Sequence, residues 1–214
     1  AEAAKESIRR FKFEELFTMQ LMLLMLKDEE EKVQNGISFK NAEAENKISD
    51  FISALPFELT EGQKKVWREI SENMDDCRAM NRLVIGDVGS GKTVLAVLAM
   101  LKAVSAGYQA VFMAPTEILA EQHYNSVSKM LSPFNIKVWL VTGALNAKEK
   151  RETLSAIESG EAKCIIGTHA LIQPTVKYGR LGLAVTDEQH RFGVRQRAML
   201  AEQANTPDVL VMTA

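Results

Sequence analysis

RLVIGDVGSGKTVLAVLAMLKAVS, residues 82–105, joins a short apolar strand to a long apolar helix through a glycine-rich loop. The loop itself, GDVGSGKT from Gly86 to Thr93, fits the spacing GxxxxGK[ST] of a phosphate cradle, with the strand before it and the helix after it that such a cradle requires. Gly86, Gly89 and Gly91 permit turns that side chains would obstruct, so that successive backbone N–H groups, Ser90 among them, can face phosphate oxygens. Lys92 supplies a point charge for the outer phosphates of a nucleotide, and the Thr93 hydroxyl can ligate Mg²⁺. The N-terminus of the following helix adds partial positive charge.

Working outward, apolar runs recur at Arg82–Ile85, Ala110–Ala114, Lys137–Val141, Lys163–Ile166, Leu181–Thr186 and Val209–Met212. Amphipathic stretches separate them: Thr93–Ser105, Glu117–Leu131 and Lys148–Glu158. Near-continuous apolar strands alternating with helices specify an α/β fold with a mainly parallel sheet flanked by helices and buried on both faces. Ligands on such a sheet collect at the carboxyl ends of the strands. DEQH, Asp187 to His190, follows directly on the strand LGLAVT. Asp187 is the candidate for the metal, through its water shell, and Glu188 for positioning or activating water. A helix cap with an acidic first turn is the plainer reading of such a pair, and only the cradle turns it toward catalysis.

Upstream the composition changes near residues 55–60. Residues 1–54 carry no strand pattern; the spacing from Ile8 to the block Met19–Leu26 predicts a long helix, then a charged stretch Lys27–Lys32, a break at Asn35-Gly36 and a second helix from Ala42 to Leu55. This segment reads as a helical arm, with the methionine-rich block as packing surface. The whole chain of 214 residues is 46% hydrophobic and 25% charged with net charge −2. Those values exclude a disordered tail and a globally basic nucleic-acid coater, without excluding local phosphate contacts. The longest apolar run, Leu21–Leu26, falls far short of the roughly 20 residues that span a bilayer, and the first residues carry no export signature. A cytoplasmic protein is therefore expected. Two distant cysteines, Cys77 and Cys164, imply neither disulfide nor metal site, and the three histidines show no zinc spacing.

GDVGSGKT together with DEQHRFGVRQR resembles the RecG family of bacterial DNA helicases. LPFELTEGQ (Leu55–Gln63), APTEILAEQH (Ala114–His123), VTG (Val141–Gly143), IGTHALIQ (Ile166–Gln173) and VLVMTA (Val209–Ala214) follow in the family's order, and the resemblance runs from about Phe11 to the end. The transcription-repair coupling translocases are the near alternative, but Ser90 and the order Gln189-His190 favour RecG. The resemblance implies a RecA-like P-loop lobe over residues 55–214, preceded by a helical connector over residues 1–54. It implies ATP and Mg²⁺ as cofactors and branched or forked DNA, held by its backbone, as partner: stalled replication forks and recombination junctions. Gln63 resembles the glutamine that reads the adenine edge, with Phe57 beside the base. Pro115, Thr116 and Glu117, Thr142 and Gly143, and Thr168 resemble residues that track DNA phosphates, an assignment the capping chemistry of Thr116 fits. His190 and Thr213 resemble residues coupling the nucleotide to the DNA side. Arg191, Arg195 and Arg197 form a basic cluster suited to phosphate or to a second lobe.

Family architecture further implies a second RecA-like lobe with the arginines that complete the nucleotide site, and a wedge domain at the DNA branch point. Neither lies within these residues, so the expectation is a connector plus first motor lobe from a monomeric parent. Such a piece should bind Mg²⁺-ATP yet hydrolyse it poorly, because an arginine finger contributes roughly 10³- to 10⁵-fold to phosphoryl transfer. Two other classes share the cradle. A non-hydrolysing nucleotide scaffold would not need the Asp187-Glu188 pair, and a small-molecule kinase would need a lid insertion that the sequence does not show.

Overall fold

The computed structural model describes residues 2–32, 36–187 and 206–213. They divide into two compact units, 1–34 and 35–214. The first unit is a single helix, α1 (Glu2–Lys32), 31 residues and about 46 Å long at 1.5 Å per residue. Local pairs at helical spacing support it: Arg10 with Glu14 at 2.8 Å, and Phe13 stacked on Phe17 at 5.9 Å between ring centroids. Its apolar side chains from Phe11 to Met25 are exposed, Phe11 by 73%.

The second unit is built on six strands: β1 (Asn81–Ile85), β2 (Gln109–Met113), β3 (Val138–Val141), β4 (Cys164–Gly167), β5 (Leu181–Asp187) and β6 (Asp208–Thr213). They form one all-parallel sheet in the order β1-β6-β5-β2-β4-β3. Every residue of β2 and β4 is buried, as the unbroken apolar runs predict, whereas edge strand β1 leaves Leu83 and Ile85 exposed. Side chains alternate between two cores. Ala110 and Phe112 of β2 join Leu183 and Val185 of β5 on one face; Val111 and Met113 join Ala184 on the other.

Helix α4 (Lys92–Ser105) is apolar all round and has eleven consecutive buried residues, Val94–Val104. That pattern belongs to a helix covered on every side. The sheet covers one side, and α2 (Ala42–Ala54) and α3 (Glu61–Asp75) pack against it from others. The second core is closed by α6 (Ala147–Glu158), through Ala156 and Ile157. Between β2 and β3 runs α5 (Glu117–Leu131), which buries Ala120, Val127 and Leu131.

The six strands and the helices α4, α5 and α6 fall within a residue or so of the predicted stretches. Two features differ. Helix α3 stands where the sequence offered no run of its own, only scattered apolar residues in a charged segment. The compact units also part at residues 34 and 35 rather than at the compositional boundary near 54. Helix α2 inserts Ala44, Ile48 and Phe51 into the core, and Lys102 of α4, fully buried, bonds Glu45 of α2 at 3.0 Å. The same Nζ reaches Ser71 Oγ at 2.6 Å and Asp75 Oδ2 at 2.8 Å on α3, so one ammonium ties three helices.

Candidate active site

At the carboxyl end of β1 the chain turns into the cradle. The Gly86 amide donates to the carbonyl of Thr213, 3.1 Å away, which stitches the start of the loop to the end of β6. Gly89 and Gly91 hold φ of 80° and 82°, the left-handed region that glycine enters without a steric cost. Gly91 is also the N-cap of α4, and no side chain caps that helix start. A Cβ on Gly91 would lie 2.4 Å from Gln63 Nε2, and one on Gly86 would lie 2.8 Å from Ser90 Oγ. Gly91 is therefore required for its backbone angle, while a side chain at either place would push aside the end of Gln63 or Ser90. Lys92 turns back over the loop, donating to the carbonyls of Gly86 and Asp87, the latter at 2.9 Å. Its ammonium thus hangs inside the cradle, within reach of a phosphate.

Gln63 reaches the cradle from α3. Its backbone N–H donates to Thr60 Oγ1 while its Oε1 accepts the Thr60 N–H at 2.9 Å, a reciprocal cap at the helix start. Its Nε2 donates to the Ser90 carbonyl at 2.8 Å. An amide side chain offers two N–H donors and two lone pairs. One of each remains, the complementary pair that an adenine edge presents. Phe57, the expected base neighbour, is half exposed nearby in sequence.

Asp187 ends β5, two strands across from β1, about 10 Å away at ordinary strand spacing. Its Oδ2 lies 2.9 Å from His123 Nε2 of α5. Among the described residues no cluster of three His, Cys, Asp or Glu side chains could hold a metal alone. A Mg²⁺ held between phosphates, one hydroxyl and one carboxylate needs no such cluster, and Thr93 and Asp187 at the carboxyl edge fit that arrangement. Glu188, His190 and the arginines Arg191, Arg195 and Arg197 lie outside the described residues.

Along the remaining rim, Pro115 and Thr116 sit at the exposed entry to α5, and the Thr116 hydroxyl accepts the Leu119 N–H at 3.3 Å as the expected N-cap. Glu117 Oε1 accepts the Gly143 N–H at 2.7 Å, joining the turns after β2 and β3. Of the pair Thr142-Gly143, Thr142 is buried and only Gly143 faces solvent. Thr168, half-buried, precedes a short 3₁₀ turn (His169–Ile172) without capping it. These residues do lie together at the carboxyl ends of neighbouring strands. Sequence reasoning gave Glu117 only a place in the motif beside the DNA backbone, and gave His123 no role. A signal for His123 was present: residues 120, 123, 127 and 131 form the sheet-facing stripe of α5, and a histidine there needs a polar partner.

A cradle on β1 and an acid on β5 along one carboxyl edge define a P-loop nucleotide-binding lobe, and residues 60–214 match the DEAD/DEAH box helicase family, to which the chain belongs. Within that class its sequence is of the RecG type. It is 53% identical over 98% of its length to the ATP-dependent DNA helicase RecG of Streptococcus pneumoniae, covering 31% of that protein, and 47% identical over 96% to that of Thermotoga maritima, covering 26%. A solved structure of RecG bound to a three-way DNA junction superimposes with a TM-score of 0.80 at 44% identity, over 94% of this chain and 26% of that one. The helicase MrfA bound to DNA and AMPPNP shares the fold, with a TM-score of 0.64 at 15% identity, over 82% of this chain and 27% of that one. The chain thus spans about a quarter to a third of the length of the RecG relatives it matches.

Proposed function

We propose that this chain is the ATP-binding lobe of a cytoplasmic, ATP-driven DNA helicase that remodels branched DNA such as stalled forks and Holliday junctions. The observation carrying the reading is the placement of the cradle and Asp187 on one carboxyl edge of a sheet whose sequence is 44% identical to RecG in its junction complex. Gly86, Gly89, Ser90 and Gly91 form the backbone cradle around the phosphates, Lys92 neutralises the outer phosphates, and Gln63 reads the base. Thr93 and Asp187 would hold Mg²⁺, which when bound lowers the charge barrier to phosphoryl transfer. Glu188 orients the attacking water. Pro115, Thr116, Gly143 and Thr168 form the edge that follows the DNA backbone, with Thr142 behind it, while His190 and Thr213 relay between the two sides. A second lobe and a wedge domain complete the motor.

The test is steady-state ATP hydrolysis with and without forked DNA, alongside binding of a fluorescent ATP analogue. The 214-residue chain should bind the analogue with Mg²⁺, lose it on Lys92→Ala, and hydrolyse ATP no faster with forked DNA. Fork-stimulated turnover above the Lys92→Ala blank would refute the requirement for a second lobe. Binding unchanged by Lys92→Ala would refute the cradle.

A further inference from the structure

Asp187 sits on a strand end with one face of its carboxylate turned to α5. Its Oδ2 is 2.9 Å from His123 Nε2, and a carboxylate has only lone pairs to offer, so the imidazole N–H donates. The imidazole is itself fixed. Its centroid is 4.5 Å from that of Phe112, a fully buried residue of β2, at an interplanar angle of 45°. Phe112 pairs in register with Val185, and Asp187 lies two residues further along β5, so all three project from the same sheet face toward α5. The side chains of His123 and Asp187 are only 14% and 22% exposed, which limits competition from water for the bond. Helix α5 is held in turn by its Thr116 cap, by Glu117 on the Gly143 amide, and by Ala120, Val127 and Leu131 in the core.

From this geometry we propose that His123 is a positioning residue for Mg²⁺-nucleotide: it clamps Oδ2 of Asp187 and leaves Oδ1 turned to the metal's water shell. The inference rests on the nucleotide reading of the cradle. It assigns to α5 a task that neither the cradle nor the acidic motif performs, since without the clamp the carboxylate can rotate about its terminal torsion, which is broad and roughly two-fold. Hydrogen-bonded partners of metal-ligating carboxylates typically govern affinity by about 10- to 100-fold.

The experiment titrates Mg²⁺ into the 214-residue chain with a fluorescent ATP analogue, starting in EDTA, and reads the Mg²⁺ concentration at half effect. His123→Met keeps apolar contact with Phe112 but has no donor; His123→Gln keeps a donor. The expected result is an analogue affinity in EDTA within about twofold of wild type for both, with the Mg²⁺ midpoint raised roughly 10- to 100-fold in the Met variant and largely restored in the Gln variant. Should the Met variant fail to fold by circular dichroism, His123→Ser, too short to reach Asp187, gives the same readout. A folded Met or Ser variant with the wild-type Mg²⁺ midpoint overturns the inference while leaving the cradle intact. A wild-type chain that binds the analogue neither in EDTA nor with Mg²⁺ overturns the nucleotide reading, and the inference with it.

Discussion

Lys102→Met should destabilise the lobe by cutting the tie among three helices. Lys102 Nζ is fully buried and serves Glu45 at 3.0 Å, Asp75 at 2.8 Å and Ser71 Oγ at 2.6 Å. Removing one partner from a buried ion pair costs about 3–5 kcal/mol, because the other charge is stranded. Here the Asp75 side chain keeps 28% of its surface and Glu45 keeps 53%, so both carboxylates can recover some water. The second Asp75 oxygen is already buried without a bond, which works the other way. The balance places the loss at about 2–3 kcal/mol. With a urea slope of about 2 kcal/mol per molar, the midpoint should fall by roughly 1–1.5 M. Trp67, buried on α3 beside this junction, gives the fluorescence signal. Glu45→Gln should cost under about 1 kcal/mol, as half-exposed ion pairs do. The double change Lys102→Met with Asp75→Leu should recover most of the loss. A Met variant within about 0.3 M of wild type would refute the view that this ammonium binds α2 into the lobe.

Gly91→Ala should abolish binding of the ATP analogue and lower the melting temperature, since φ of 82° disfavours an L-residue and the new methyl meets Gln63 Nε2; a variant that binds normally would show that this loop angle is not needed. Asp208 supplies the pH dependence. Burial pushes its carboxyl up to about 8, only partly opposed by the Met80 N–H, which donates to it at 2.8 Å. The folded chain therefore holds a proton that the unfolded chain releases near the ordinary carboxylate value, so this group's contribution is full below pH 4 and is lost as pH rises to 8. The slope should approach about 1.4 kcal/mol per pH unit at most. Urea midpoints between pH 5 and 8 should fall less steeply in Asp208→Asn than in wild type; parallel curves would show that another group sets the slope.

The sheet was legible because parallel strands buried on both faces leave unbroken apolar runs, and β2 and β5 are such runs. The cradle was legible because its glycines, Lys92 and Thr93 act within eight residues of one another. What escaped depends on partners distant in sequence. His123 meets Asp187 across 64 residues, and Lys102 meets Glu45 across 57. The stripe of α5 says that His123 needs a polar partner, but nothing local says which, and nothing local marks Lys102. Helix α3 hid behind Gly62 and its many charges, although Thr60 and Gln63 already spelled out its cap. Placing the boundary at 54 followed composition, whereas Ala44, Ile48 and Phe51 at helical spacing carry α2 into the core. Thr142 lies in the expected turn, but the fold buries it, which its sequence neighbours did not signal.

The position of β6 bears on how this lobe is made. Strand β1, which launches the cradle, sits at the sheet edge and is paired by β6. Met80 at its foot bonds Asp208 across 128 residues. During synthesis, at roughly 5–20 residues per second, the cradle's strand would wait about 6–26 seconds for its neighbour to emerge. Until then its polar edge and the apolar helix α4 have no finished sheet to lie against. The cradle's strand is thus made well before the strand that pairs it, and that interval is one in which a chaperone could engage the nascent chain.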